Sequence, residues 1–245
     1  MKKSILLVLL YLLIQAVAGG ILSLVFSMWP TASFEWSVVI TLLVADVLMA
    51  VILIQQGYLS DQKLWHPTTV FCMGWTLIAG ISAIFISDAV ASCTEFLPNW
   101  LESTFDQIEN SWLGILAVAI VGPILEEMLF RGAVTSVLLK AYSPTKAIIY
   151  SALIFGIFHI NPAQVLNAFL LGLLLGWLFY KTRSLIPGIL VHILNNGLSV
   201  LFSQTYPQAD SMADLMGWVP YSICLVLAVL LLTLSVWQLH KKGGA

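Results

Sequence analysis

The chain has 245 residues, of which 60% are hydrophobic and only 9% charged, and this excludes a soluble domain that must present a polar surface to water. Its net charge of −2 arises from few charges and says nothing about partners, and no basic patch points to nucleic acid. A crossing takes roughly 20 apolar residues, so the length accommodates about eight transmembrane helices and no separate soluble domain. Residues 1–245 therefore read as a single all-α, polytopic membrane domain with membrane lipid as its solvent.

Lys2 and Lys3 followed by Ser4–Leu13 and Ala16-Val17-Ala18 imitate a secretory signal with a small-residue cleavage site. The apolar run continues through Ile21, Leu24 and Phe26 to Trp29, too long for a signal core, so an uncleaved first helix is expected. Further spans are expected at Trp36–Gln55, Thr69–Ile86, Trp112–Leu139, Pro144–Ile160, Pro162–Tyr180, Leu185–Phe202 and Trp218–Leu239. Ser143-Pro144 and Asn161-Pro162 each offer a capping side chain before a proline at the first helical position. Gly172 and Gly176 carry the four-residue spacing that lets helices approach closely. Between spans three and four, Leu97, Trp100, Leu101, Phe105, Ile108 and Trp112 recur at helical spacing among acidic residues, which predicts a helix lying on the outer surface. Cys72, Cys93 and Cys224 are far apart and read as packing residues.

Loop charges orient the chain. With eight spans and a cytoplasmic start, Lys2, Lys3, Lys63, Lys140, Lys146, Lys181, Arg183, Lys241 and Lys242 fall on the cytoplasmic side. The opposite loops hold Glu35, Asp88, Glu95, Glu102, Asp106, Glu109, Asp210 and Asp214 without a basic residue. Both termini of this multi-pass protein of the cell membrane are thus expected to be cytoplasmic.

The remaining polar groups lie inside the spans, where an ionisable residue is costly and marks a functional site by default. Span four holds Glu126, Glu127 and Arg131 just after Pro123. Glu127 and Arg131, four apart, can pair, and Pro123 should kink the helix ahead of the carboxylates. A structural ion pair accounts for Glu127 with Arg131 and leaves Glu126 uncompensated. Phe155 and His159 in span five, and His192 and Asn196 in span seven, share helix faces in the same way. At 1.5 Å per residue, Glu126 lies about 21 Å from Lys140 and His159 about 22 Å from Pro144, the same level. Asn196 and His192 come out shallower, at about 16 and 10 Å from Leu185. A carboxylate beside a neutral imidazole can hold a water and take its proton, while an amide and a second imidazole can donate to an oxyanion. No serine or cysteine adjoins either histidine in these motifs, so no covalent nucleophile is indicated.

In this order, E-E-x-x-x-R at Glu126–Arg131, F-x-x-x-H at Phe155–His159 and H-x-x-x-N at His192–Asn196 resemble the CAAX-protease and bacteriocin-processing family, also called the Abi family, of intramembrane endopeptidases. The likeness covers about residues 112–202, and its short loops resemble the bacterial branch. It implies an eight-helix fold with the active site in a cavity among the later helices, where Glu126 and His159 activate water, His192 and Asn196 stabilise the oxyanion, and Glu127, Arg131 and Phe155 support the site. The substrate would be a peptide or a membrane-anchored protein. Members are commonly called metalloproteases, and Glu126, His159 and His192 could hold a zinc ion with an open position, although the H-E-x-x-H signature is absent. Two other readings stand beside this one. A transporter or channel would also carry Glu, Arg and His at membrane depth, and Asp46 in span two, which the motifs do not use, favours it. A non-catalytic immunity protein would bind a peptide without cutting it.

Overall fold

A computed structural model describes residues 1–28 and 34–242. Trp29, the expected end of the first span, and the side chains of Glu35 and Lys242 lie outside the described residues. The helices are α1 (Lys2–Ser27), α2 (Phe34–Gln55), α3 (Val70–Cys93), α4 (Glu102–Glu109), α5 (Trp112–Leu139), α6 (Pro144–Phe158), α7 (Pro162–Thr182), α8 (Ile186–Thr205), α9 (Met212–Met216) and α10 (Trp218–Lys242). The described residues contain no strand, so the protein is an all-α, multi-pass membrane protein.

Seven of these helices are long and apolar enough to cross a membrane; α6, with 15 residues, is not. The eighth expected span is present as this shorter apolar helix, which reaches about 22 Å against a hydrocarbon core of about 30 Å. The reason lies at its end. Asn161 precedes Pro162, a position that disfavours helix, and Ile160 turns the chain at φ 61°. Asn161 and Ser143 occupy the expected cap positions, but neither side chain makes a capping bond. Asn161 is engaged elsewhere: its Oδ1 accepts from the Trp100 N–H at 2.9 Å and its Nδ2 donates to Asn99 Oδ1 at 2.7 Å. The connection after α3 therefore dips to meet a turn that falls short of the surface. Its helix is shorter than expected, and its apolar side turns inward, with Ile108 buried.

Small residues set the spacing of α6 and α7. A Cβ on Gly172 would lie 3.1 Å from Ala152 and from Phe155, and one on Gly176 would lie 3.4 Å from Ile148. The main core gathers around Met49, Leu53, Leu129, Phe130, Leu138 and Phe155, joining α1 and α2 to α5 and α6. The α7–α8 turn is also internal. Ser184 and Leu185 are buried, with Leu185 N–H donating to Leu64 O at 2.8 Å and Ser184 Oγ to His66 O at 2.7 Å. This removes the depth mismatch expected for His192, because α8 begins well inside the protein. Leu185 stands level with Gly132, whose Cβ would lie 3.7 Å from it. Gly132 is five residues past Glu127 and Leu185 seven before His192, which are similar rises.

The connection holding Lys63 meets the α7–α8 turn through Leu64 and His66, while Asp88 meets Met212 and Glu109 meets Ser203, so these basic and acidic connections gather at separate ends, and Cys93, exposed at the end of α3, stands at the acidic end. A membrane-impermeant maleimide should therefore label Cys93 in intact cells, with Cys72 and Cys224 replaced by alanine. Labelling only after permeabilisation would reverse the orientation.

Candidate active site

The site grows out of irregularities in α5. Pro123 has no N–H for the preceding turn, and the helix widens into π-helical geometry over Ala117–Val121 and again over Met128–Thr135. Such bulges commonly mark functional sites. In the first, the Val118 carbonyl accepts from Asn196 Nδ2 at 3.0 Å. In the second, Thr135 Oγ1 donates to Phe130 O at 2.7 Å and Ser136 Oγ to Arg131 O at 3.2 Å. The kink expected at Pro123 is thus a widened turn that α8 helps to hold.

Between the bulges, Arg131 Nη1 donates to Glu127 Oε1 at 2.7 Å, with both side chains buried. The guanidinium lies 4.5 Å over the Phe155 ring and reaches the Gly172 carbonyl at 3.4 Å. His192 completes the group across α8, donating from Nδ1 to Glu127 Oε1 at 3.0 Å. Its Nε2 stands 3.7 Å from Glu126 Oε2, so Glu126 has a neighbour that spacing within one helix does not reveal. This approach needs Gly188, since a Cβ there would meet Glu127 Oε2 at 2.7 Å. His159 at the end of α6 donates from Nδ1 to Phe155 O at 2.9 Å and meets the Phe155 ring edge-on. A carbonyl only accepts, so Nδ1 carries the proton and Nε2 of the neutral ring is left as the acceptor.

Glu126, His159, His192 and Asn196 all line one cavity of about 700 Å³, and Glu127 and Arg131 lie behind its wall. Phe155 lines it too. The long connection contributes Asn99, Leu101 and Phe105. Two further contributors lie outside the three motifs. Tyr11 of α1 donates a hydrogen bond to Asp46 of α2, both buried, and both line the cavity. Tyr11 also stacks on Phe158 at 5.5 Å. Asp46 was detectable as an intramembrane carboxylate; nothing in the pattern around Tyr11 distinguishes it from packing.

For a metal, the chemistry is mixed. The free Nε2 of His159, that of His192 when its ring is neutral, and the Glu126 carboxylate are suitable donors, and anchoring Nδ1 to an oxygen is the usual support for a ligating histidine. Yet among the described residues no three His, Cys, Asp or Glu side chains converge as a metal-binding group. Glu126, His159 and His192 as arranged do not fit a three-ligand centre.

Together these features define a polytopic helical membrane protein with a buried Glu–Arg–His network beside a cavity into which several polar side chains converge. Residues 108–198 match the family model described as Type II CAAX prenyl endopeptidase Rce1-like, and the resemblance read from the three motifs is borne out at modest identity. The chain is 28% identical over 131 residues to the putative membrane peptidase YdiL of Bacillus subtilis, covering 51% of this chain and 54% of that protein. It is 30% identical over 101 residues to the membrane-embedded CAAX protease MroQ of Staphylococcus aureus, covering 39% of this chain and 41% of that one. The chain thus spans about half the length of these relatives. No solved structure matches.

Proposed function

We propose that the protein is an intramembrane endopeptidase that hydrolyses a peptide bond of a peptide or membrane-anchored protein with an activated water. The observation that carries this reading is the meeting of Glu126, His159, His192 and Asn196, from three helices, at one cavity. Glu126 takes a proton from a water held between its carboxylate and the free Nε2 of His159. The hydroxide attacks the carbonyl carbon, and the oxyanion receives hydrogen bonds from Asn196 Nδ2, one of whose hydrogens is committed to Val118, and from His192. With Nδ1–H given to Glu127, His192 donates from Nε2 as the imidazolium, between two carboxylates. Glu126 then returns the proton to the leaving nitrogen as the C–N bond breaks, giving an acid and an amine. Glu127 and Arg131 hold His192 and Phe155 in place. The kinship to a CAAX protease and a membrane peptidase supports this reaction class.

The test is cleavage of a library of membrane-inserted peptides by the purified protein in liposomes. Peptide binding without cleavage under all conditions would favour the immunity-protein reading. This reaction needs no metal ion, and metal content checks that: fully active preparations should contain well below one zinc per chain and keep their activity in chelator. Stoichiometric zinc, with activity lost on chelation and restored by zinc, would recast Glu126, His159 and His192 as ligands.

A further inference from the structure

The motifs of α5, α6 and α8 leave Asp46 without a role. It is a carboxylate on an apolar transmembrane helix, 4% exposed, and its hydrogen bond comes from Tyr11. Among the described residues, the ion pairs are those of Glu126 and Glu127 with Arg131 and His192. Asp46, Glu126 and Glu127 are therefore three carboxylates against one guanidinium. Counted as ionised, and with His192 as the imidazolium, they leave one negative charge to be met by a proton or by a bound cation at a depth where unpaired charge is not tolerated cheaply. Tyr11 does not require that charge, because a hydroxyl is equally served by an amide or backbone oxygen. Asp46 also faces the cavity that holds Glu126, and Tyr11 occupies Oδ1, leaving Oδ2 to an occupant. Toward the mouth the wall carries Asp88, Glu102, Asp106, Glu109 and Asp210, and among the described residues no lysine or arginine lines the cavity. Low-dielectric walls of one sign focus the field on a counter-charge.

We propose that Asp46 is a specificity-determining residue that pairs with a lysine or arginine side chain of the peptide occupying this cavity. The proposal rests on the protease reading for what happens to that peptide, and it makes the substrate class cationic near the bond to be cut. Tyr11 positions the carboxylate; Asp46 supplies the charge.

Binding tests this apart from cleavage. The full chain carrying His159→Ala, which keeps peptides intact and leaves all three carboxyl groups in place, is placed in phosphatidylcholine nanodiscs. Fluorescein-labelled apolar peptides with one central lysine or, instead, glutamine are titrated by anisotropy. The lysine peptide should bind about tenfold tighter, the scale of one partly desolvated charge pair. Adding Asp46→Asn, which keeps an acceptor for Tyr11, should bring the preference below about twofold, whereas adding Tyr11→Phe, which keeps the charge, should leave most of it. Equal affinity for the two peptides while Asp46 is present overturns the proposal. So does a preference that survives Asp46→Asn, which would assign selectivity to the mouth. Selective binding with no cleavage of either peptide by the wild-type protein would sink the protease reading and leave the charge-selective site standing.

Discussion

Glu126→Gln should lower kcat by about 10²–10⁴-fold, the usual contribution of a positioned acid–base group, while expression and melting temperature stay near wild type. The substitution keeps the shape of a side chain that is 19% exposed and removes only its capacity to take and return a proton. The Arg131–Glu127–His192 chain of contacts is untouched. His159→Ala should match it in activity, since it removes the free Nε2 that holds the water. Its structural cost is one hydrogen bond to Phe155 O and the edge-on ring contacts with Phe155 and Phe158, together about 1–3 kcal/mol. Single-turnover cleavage of a reconstituted peptide, with thermal unfolding followed on the same preparations, checks both. Glu126→Gln retaining more than about a tenth of the wild-type rate would remove Glu126 from the acid–base role.

The parts of this site that were legible in the sequence are those fixed by one helix. Glu127 and Arg131, and Phe155 and His159, are four residues apart, and the contacts expected from that spacing are made. The depth of Glu126 and His159 followed from counting turns, because α5 and α6 are joined by a tight connection. What the sequence did not disclose depends on how helices meet. His192 bonds to Glu127, not to Asn196 in its own helix, because Gly188 lets α8 press onto α5. Asn196 donates to Val118; Pro123 advertised a distortion, but not the carbonyl that α8 would reach. Apolar composition ran on to Ile160 and suggested a full crossing, whereas the turn at Ile160 and Asn161 ends α6 early. Helices α1 and α2 carry no motif, so their share of the cavity, Tyr11 and Asp46, emerged only from packing.

Arg131→Ala should differ in kind from Glu126→Gln, because it strands Glu127 as a fully buried carboxylate. Arg131 is 1% exposed and Glu127 0%, and among the described residues the only other side chain bonded to Glu127 is His192. Removing one partner of such a pair costs about 3–5 kcal/mol, mostly the penalty of the charge left behind. The protein should express poorly, unfold at a lower temperature and lose activity as Glu127, His192 and the Phe155 ring shift together. Glu127→Gln combined with Arg131→Met removes both charges and keeps the volume, so it should recover much of the lost stability. It should not recover cleavage, since His192 no longer has a carboxylate at Nδ1 to orient it. Thermal unfolding of the single and double variants forms a cycle whose coupling term is read directly. Additive losses would mean that the ion pair has no energetic unity. A stable double variant that also cleaves normally would reduce Glu127 and Arg131 to a packing pair with no hold on the site.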